Sequence, residues 1–185
     1  MSLAYSSMLP LDTTAPDFTL PDAVSGKTLS LQALKSSQGT VIMFICNHCP
    51  YVKHILPKLV EITKIYQTKN IQFIAINSND IKSYPDDSPE NMRKIAQQFD
   101  FSFVYLFDNS QNIAKAYQAE CTPDFYLFDK DLRCVYRGRF DDATPGNNHA
   151  VTGKDLCEAI DNLLAHKPIN PEQFSSMGCS IKWKK

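Results

Sequence analysis

Residues 41–45 (VIMFI) form an unbroken apolar run, the pattern of a strand buried on both faces. The period then changes. Tyr51, Val52, Ile55, Leu56, Leu59 and Val60 recur at three- and four-residue spacing, which marks one face of a helix. This predicts a central strand over residues 40–45 and a helix over 50–67, kinked at Pro57. A second buried strand follows over 71–77 (IQFIAIN). A crossover of this length implies that the two strands run parallel.

Around this unit the pattern gives smaller elements. Phe18 and Leu20 alternate with polar neighbours, as in a short strand whose hairpin partner spans 27–31. Residues 78–89 are polar with two prolines. They read either as a solvated linker or as part of the carboxyl edge of an open α/β sheet, where sites gather. Ser88 or Asp87 caps a helix running to about residue 99. A strand over 103–107, a helix over 111–118 and a hairpin of 125–128 with 132–138 come next. The last helix is expected over 153–166, capped by Thr152, and the tail from 167 has no helical pattern. The expected organisation is one domain over 13–167, with a leading segment 1–12 and a tail 168–185.

Composition adds bounds. The chain has 185 residues, 43% hydrophobic and 21% charged, with a net charge of −1. These values fit an ordinary globular domain and give no reason to expect nucleic-acid or membrane partners. No apolar run reaches the length of a membrane span, and the first residues lack the pattern of a secretory signal. A cytoplasmic location is therefore expected, where disulfides are transient and catalytic.

The junction between strand and helix carries Cys46-Asn47-His48-Cys49. Two cysteines three apart in the first turn of a helix can bring their sulfurs within bonding distance. The unpaired N–H groups and dipole of that turn favour a thiolate. Cys46, taken as the exposed member, is expected to be the nucleophile and Cys49 the resolving thiol. His48 stands beside both and lowers the thiolate pKa further when protonated. The competing readings are a pair of inert buried thiols and half of a zinc site. Zinc needs a second ligand pair, and Cys121, Cys134, Cys157 and Cys179 are scattered singly. No metal and no bound cofactor are expected.

Taken in order, the elements and the C-x-x-C resemble the thioredoxin fold, a central mixed sheet flanked by helices. The opening APDFTL…GKTLSL, with FICNHCPYVKH, AINSND, YPDDSPENM, CTPDFYLFD, YRGRFDD and GCSIKWK, resembles the peroxiredoxin-related branch, the AhpC/TSA or redoxin superfamily. The resemblance implies that Cys46 and Cys49 are the redox pair. It also implies that Pro123 follows a cis bond facing them and that Asn47, Thr122 and Pro123 line the substrate site. Such a loop offers backbone groups to which a peptide adds as a strand.

The chain departs from the relatives at two points. The peroxiredoxin Pro-x-x-x-Thr/Ser-x-x-Cys pattern fails, since Met43 and Gly39 stand three and seven residues before Cys46. VIMFI also carries no buried carboxylate to take the proton of the second thiol. His48, water or a group from elsewhere must do so. A histidine beside the second cysteine implies a disulfide more oxidising than that of thioredoxin.

Cys121, beside the Thr122-Pro123 loop, and Cys179, in a tail read as mobile, are candidates for additional redox thiols. Cys134 and Cys157 read as structural. Arg139 is expected in an ion pair, His54 and His149 facing solvent, and Trp183 pinning the tail. The function expected is thiol–disulfide oxidoreduction on a disulfide-containing protein or small thiol substrate. A thioredoxin- or glutathione-type donor would supply electrons. A thiol peroxidase using Cys46 and a non-enzymatic redox-sensing module are the alternatives.

Overall fold

A computed structural model describes residues 2–185. Strand β1 (Leu3–Tyr5) is followed by the hairpin of β2 (Thr19–Pro21) and β3 (Thr28–Ser30) and by the single turn α1 (Leu31–Leu34). Then come β4 (Gly39–Phe44), α2 (Pro50–Gln67), β5 (Ile71–Asn77), a 3-10 turn (Pro85–Asp87) and α3 (Pro89–Gln98). The chain continues through β6 (Val104–Phe107), α4 (Asn112–Ala116), β7 (Cys121–Thr122), β8 (Asp124–Phe128) and β9 (Cys134–Gly138). Helix α5 (Lys154–Leu164) and strand β10 (Met177–Ser180) complete it.

The main sheet has the order β6-β5-β4-β8-β9. Strands β4, β5 and β6 are parallel, while β8 and β9 are antiparallel additions. This is the thioredoxin-like mixed sheet. Its central strand β4 is buried at every position, and its side chains alternate between two cores. Val41 and Met43 pack with Leu59, Phe73, Phe125 and Ile160 under α2 and α5. Ile42 and Phe44 pack with Phe18, Leu31, Tyr117 and Tyr126 on the other face. The unbroken VIMFI run thus reflects a strand between two layers of apolar cover.

Three expectations change. Helix α5 is capped at Gly153, not Thr152. Gly153 has φ +68, a conformation favourable to glycine, and Asp141 Oδ2 accepts the Thr152 and Gly153 N–H groups at 2.7 and 2.6 Å. Residues 78–88 are not a solvated linker: Ser78, Asn79, Asp80 and Asp87 are buried. The tail is not loose, because β10 pairs antiparallel with β1 on one edge and β7 on the other. Lys182 N–H donates to Asn79 Oδ1 at 2.8 Å, and Asp80 N–H donates to Lys182 O at 2.8 Å. Of the buried polar side chains in this loop, Asn79 meets the tail, while Ser78 donates to Asp108 and Asp87 turns to Asn47 and His48. Trp183 packs, half-buried, against the second core.

Candidate active site

Pro50 decides where α2 begins. It has no N–H to give and suits the first helical position, so Cys49, at φ −69 and ψ 122, is the N-cap. The two cysteines therefore precede the helix rather than sitting in its first turn. Cys46 is in the loop that leaves β4, and Cys49 is at the mouth of α2. Both are buried, Cys46 at 1% exposure and Cys49 at 0%, against the expectation of an exposed Cys46. Cys46 nevertheless borders a cavity of about 290 Å³ formed with Val52, Leu56, Phe99, Phe101 and Tyr105.

Thr122 joins the sulfurs. Its hydroxyl lies 3.3 Å from Cys46 Sγ, and its carbonyl accepts from the Cys49 thiol at 3.2 Å. The Thr122–Pro123 bond is cis. Pro123 borders a second cavity, about 360 Å³, with Tyr5, Tyr51, Arg139 and Phe174. The backbone edge of Thr122 is not open to a peptide, because β10 lies along it with Cys179 opposite Thr122.

The sulfurs differ in charge stabilisation. When Cys49 loses its proton, its sulfur accepts from the Cys46 thiol, from the Cys179 thiol and N–H, and from Val52 N–H in the first turn of α2. These donors lower its pKa to about 5 against the cost of burial. The Cys46 thiol is pushed well up, because it donates to Cys49, is buried and faces the Asp87 carboxylate. The two thiols titrate as a coupled pair, with Cys49 lowered and Cys46 raised. The expected lowering of Cys46 is thus reversed, and the lowering of Cys49 comes first from the Cys46 thiol, with Val52 N–H at the helix terminus a smaller contributor.

Asp87 is the residue that sequence reasoning missed. It is buried at 0% exposure. Its Oδ1 accepts the Asn47 and His48 N–H groups at 2.7 and 3.3 Å, and its Oδ2 accepts Asn79 Nδ2 at 2.8 Å and meets His48 Nδ1 at 2.5 Å. His48 is further fixed by stacking on Tyr84, with centroids 5.2 Å apart, and its Nδ1 lies 3.9 Å from Cys46 Sγ. Donor atoms of Cys46, His48 and Asp87 lie within 4.8 Å of one another, the kind of cluster that can hold a metal. Here Asp87 already spends both oxygens on hydrogen-bond donors.

The other expected residues fall into place around this centre. Asn47 borders the Cys46 cavity, with its amide engaged to Asp86 O at 2.9 Å and Tyr105 Oη at 3.0 Å. Cys121 turns its thiol to Pro123 O at 3.8 Å, and burial with Asp124 nearby pushes its pKa up. Cys134 is buried and Cys157 half-buried. Arg139 Nε pairs with Asp155 Oδ2 at 2.5 Å beside the second cavity. His149 is exposed, with Nδ1 2.8 Å from Asp142 Oδ2. His54 is half-buried, with its Nε2 enclosed.

Comparisons with known proteins place the fold and the family. The chain is similar over its whole length, at 51% identity and a TM-score of 0.98, to an uncharacterized conserved protein from Geobacillus kaustophilus, 97% of which is covered. It is 27% identical over 118 residues to the thiol-disulfide oxidoreductase ResA of Geobacillus thermodenitrificans. That match covers 64% of this chain and 63% of the relative, so the chain spans less than two thirds of the curated relative's length. The thioredoxin domain of a thiol-disulfide oxidoreductase from Bacteroides vulgatus superposes with a TM-score of 0.63 at 14% identity, covering 82% of this chain and 99% of that one. It shares the fold. The AhpC/TSA family model matches residues 11–137, and on that match the chain belongs to the AhpC/TSA family, within the thioredoxin-like redoxins.

Proposed function

We propose that the chain is a thiol–disulfide oxidoreductase in which Cys46 attacks and Cys49 resolves. The observation that carries this reading is the division of labour between the sulfurs. Cys46 borders a cavity, while Cys49 is enclosed and is the sulfur whose pKa is lowered. The Cys46 proton passes to Cys49 across their hydrogen bond, and the Cys46 thiolate attacks a substrate disulfide. A Cys46–substrate bond forms, the substrate disulfide breaks, and the first substrate thiolate leaves. That leaving thiolate takes the proton back from Cys49. Cys49 then attacks Cys46 and releases the second substrate thiolate. The substrate has gained two electrons and the pair is a disulfide, which a thioredoxin- or glutathione-type donor returns to the thiols. The substrate is a disulfide-containing protein or small thiol compound.

A thiol peroxidase is the second reading. The Thr122 hydroxyl beside Cys46 Sγ favours it, because it supplies from another strand what Met43 cannot. One experiment separates the two. The reduced protein is exposed briefly to oxidised glutathione and, separately, to dilute peroxide, and the thiols are trapped for peptide mass spectrometry. Rapid Cys46–Cys49 disulfide with glutathione and slow reaction with peroxide supports the oxidoreductase. The reverse order supports the peroxidase. Failure of both oxidants to join Cys46 to Cys49 rejects both readings.

A further inference from the structure

Two other thiols are hydrogen-bond partners of Cys49, those of Cys46 and Cys179, and Cys179 stands opposite Thr122, whose carbonyl lies 3.2 Å from Cys49 Sγ. The second contact is built by the tail. Strand β10 lies antiparallel on β7 with Cys179 opposite Thr122 and Ser180 opposite Cys121. Gly178 permits this closeness: a Cβ there would lie 2.0 Å from Thr122 O. On its other edge β10 is held by β1, with Leu3 opposite Cys179. Beyond it, Ile181 N–H donates to Glu120 O at 2.9 Å. The strand is thus fixed from both sides, and Cys179, 4% exposed, is aimed at the buried sulfur of the pair. Thr122 is the same residue whose hydroxyl and carbonyl meet Cys46 and Cys49. Its backbone edge is where an extended peptide would add beside the sulfurs.

We propose that Cys179 is a third redox thiol that takes Cys49 from Cys46, so that β10 acts as a tethered substrate of the pair. This rests on the reading of Cys46 and Cys49 as the redox pair. The Cys179 sulfur attacks Cys49 Sγ in the Cys46–Cys49 disulfide. The Cys49–Cys179 bond forms, the Cys46–Cys49 bond breaks, and Cys46 leaves with the proton that Cys179 gives up. The exchange moves one disulfide without changing the oxidation level, so it needs no further oxidant. Its products are a Cys46 thiol returned to the cavity and a tail covalently fastened to the start of α2. Cys49 is fully enclosed, so an external thiol reaches it only if the cover moves aside, whereas Cys179 already stands opposite Thr122 beside it.

The test is disulfide mapping of the full chain in a Cys157→Ala background, equilibrated with a glutathione buffer, quenched in acid and digested with trypsin without reduction. Cys46 and Cys49 fall in one tryptic peptide and Cys179 in another, so the new bond appears as a cross-link between the two. The cross-link is expected in the parent chain beside the Cys46–Cys49 form. It should become the main product in Cys46→Ser and vanish in Cys179→Ala. The proposal is overturned if Cys46→Ser gives no cross-link at a glutathione ratio that joins Cys46 to Cys49 in Cys179→Ala. It is equally overturned if the cross-link appears in Cys46→Ser but never in the parent chain. If Cys179→Ala does not join Cys46 to Cys49, the redox-pair reading fails first and this proposal falls with it.

Discussion

His48 Nδ1 lies 2.5 Å from Asp87 Oδ2, and the same carboxylate accepts from Asn47 N–H and Asn79 Nδ2. A carboxylate has only acceptors to offer, so the proton of this contact sits on Nδ1. That proton is committed to Asp87, and the same nitrogen stands 3.9 Å from Cys46 Sγ. Asp87 does more than orient the ring, because it ties the loop between the cysteines to the loop after β5. Asp87→Ala leaves several buried donors unsatisfied and should cost about 3–5 kcal/mol in urea unfolding. His48→Ala removes a single one of those donors and should cost less than about 2 kcal/mol. Equal losses in the two variants would mean that the carboxylate is not the anchor.

Cys49 should announce its charge in the ultraviolet. With its pKa lowered to about 5, the reduced protein should gain one thiolate absorbance step near 240 nm as pH rises through that value. The step should be missing in Cys49→Ser. The folded pKa lies below the unfolded one, so this group stabilises the reduced protein fully above the ordinary thiol pKa. That stabilisation is lost as pH falls through about 5. Stabilising the reduced form also makes the disulfide more oxidising, so the potential should lie above the roughly −270 mV of thioredoxin. A first thiolate step near the ordinary thiol value, or a potential at or below thioredoxin's, contradicts the assignment.

The sheet was legible because apolar period and length are local properties. Helix α2 and strand β5 match the expected 50–67 and 71–77 at both ends, and the Ser88 hydroxyl does accept from Asn91 N–H. The cysteine pair was legible for the same reason, since four consecutive residues at a change of period carry it. Asp87 was not. In Asp86-Asp87-Ser88-Pro89 a carboxylate before a helix reads as a cap, and nothing nearby says that it turns inward to meet residues 39 and 40 positions earlier. Strand β10 was missed too. Four residues with little apolar patterning become a strand because β1 and β7 flank them, which is information held 57 and more residues away.

Asp124 makes stability depend on pH in the opposite direction to Cys49. It is fully buried, next to Pro123 and opposite Phe44 in the sheet. Burial raises its pKa from 3.8 to about 7, only partly offset by the Tyr126 hydroxyl, which donates to Oδ2 at 2.7 Å. The folded state holds this proton more tightly than the unfolded chain. Its contribution is complete below the unfolded pKa and is lost as pH rises through about 7. Asp124→Asn keeps an acceptor for Tyr126 and cannot ionise. Relative to the parent it should therefore gain stability between about pH 4 and about pH 8, by up to roughly 4 kcal/mol. Urea titrations of both chains at several pH values measure this, and a difference that stays flat with pH would show that Asp124 does not titrate as described.

Gly178 holds the tail to the active site by having no side chain. A Cβ there would meet Thr122 O at 2.0 Å and Thr122 C at 2.7 Å, both backbone atoms that cannot swing away. Gly178→Ala must lift β10 from β7, at a cost of roughly 1–3 kcal/mol if the strand re-docks imperfectly. If the tail opens as a unit, that cost converts to about a tenfold to hundredfold rise in the open population. Alkylation of the enclosed Cys49 by iodoacetamide should accelerate by that factor. Cys46, which already borders a cavity on the α3 side, should respond much less. Equal acceleration at both cysteines would mean general loosening of the fold rather than release of the strand. No acceleration at Cys49 would mean that β10 is not what shields it.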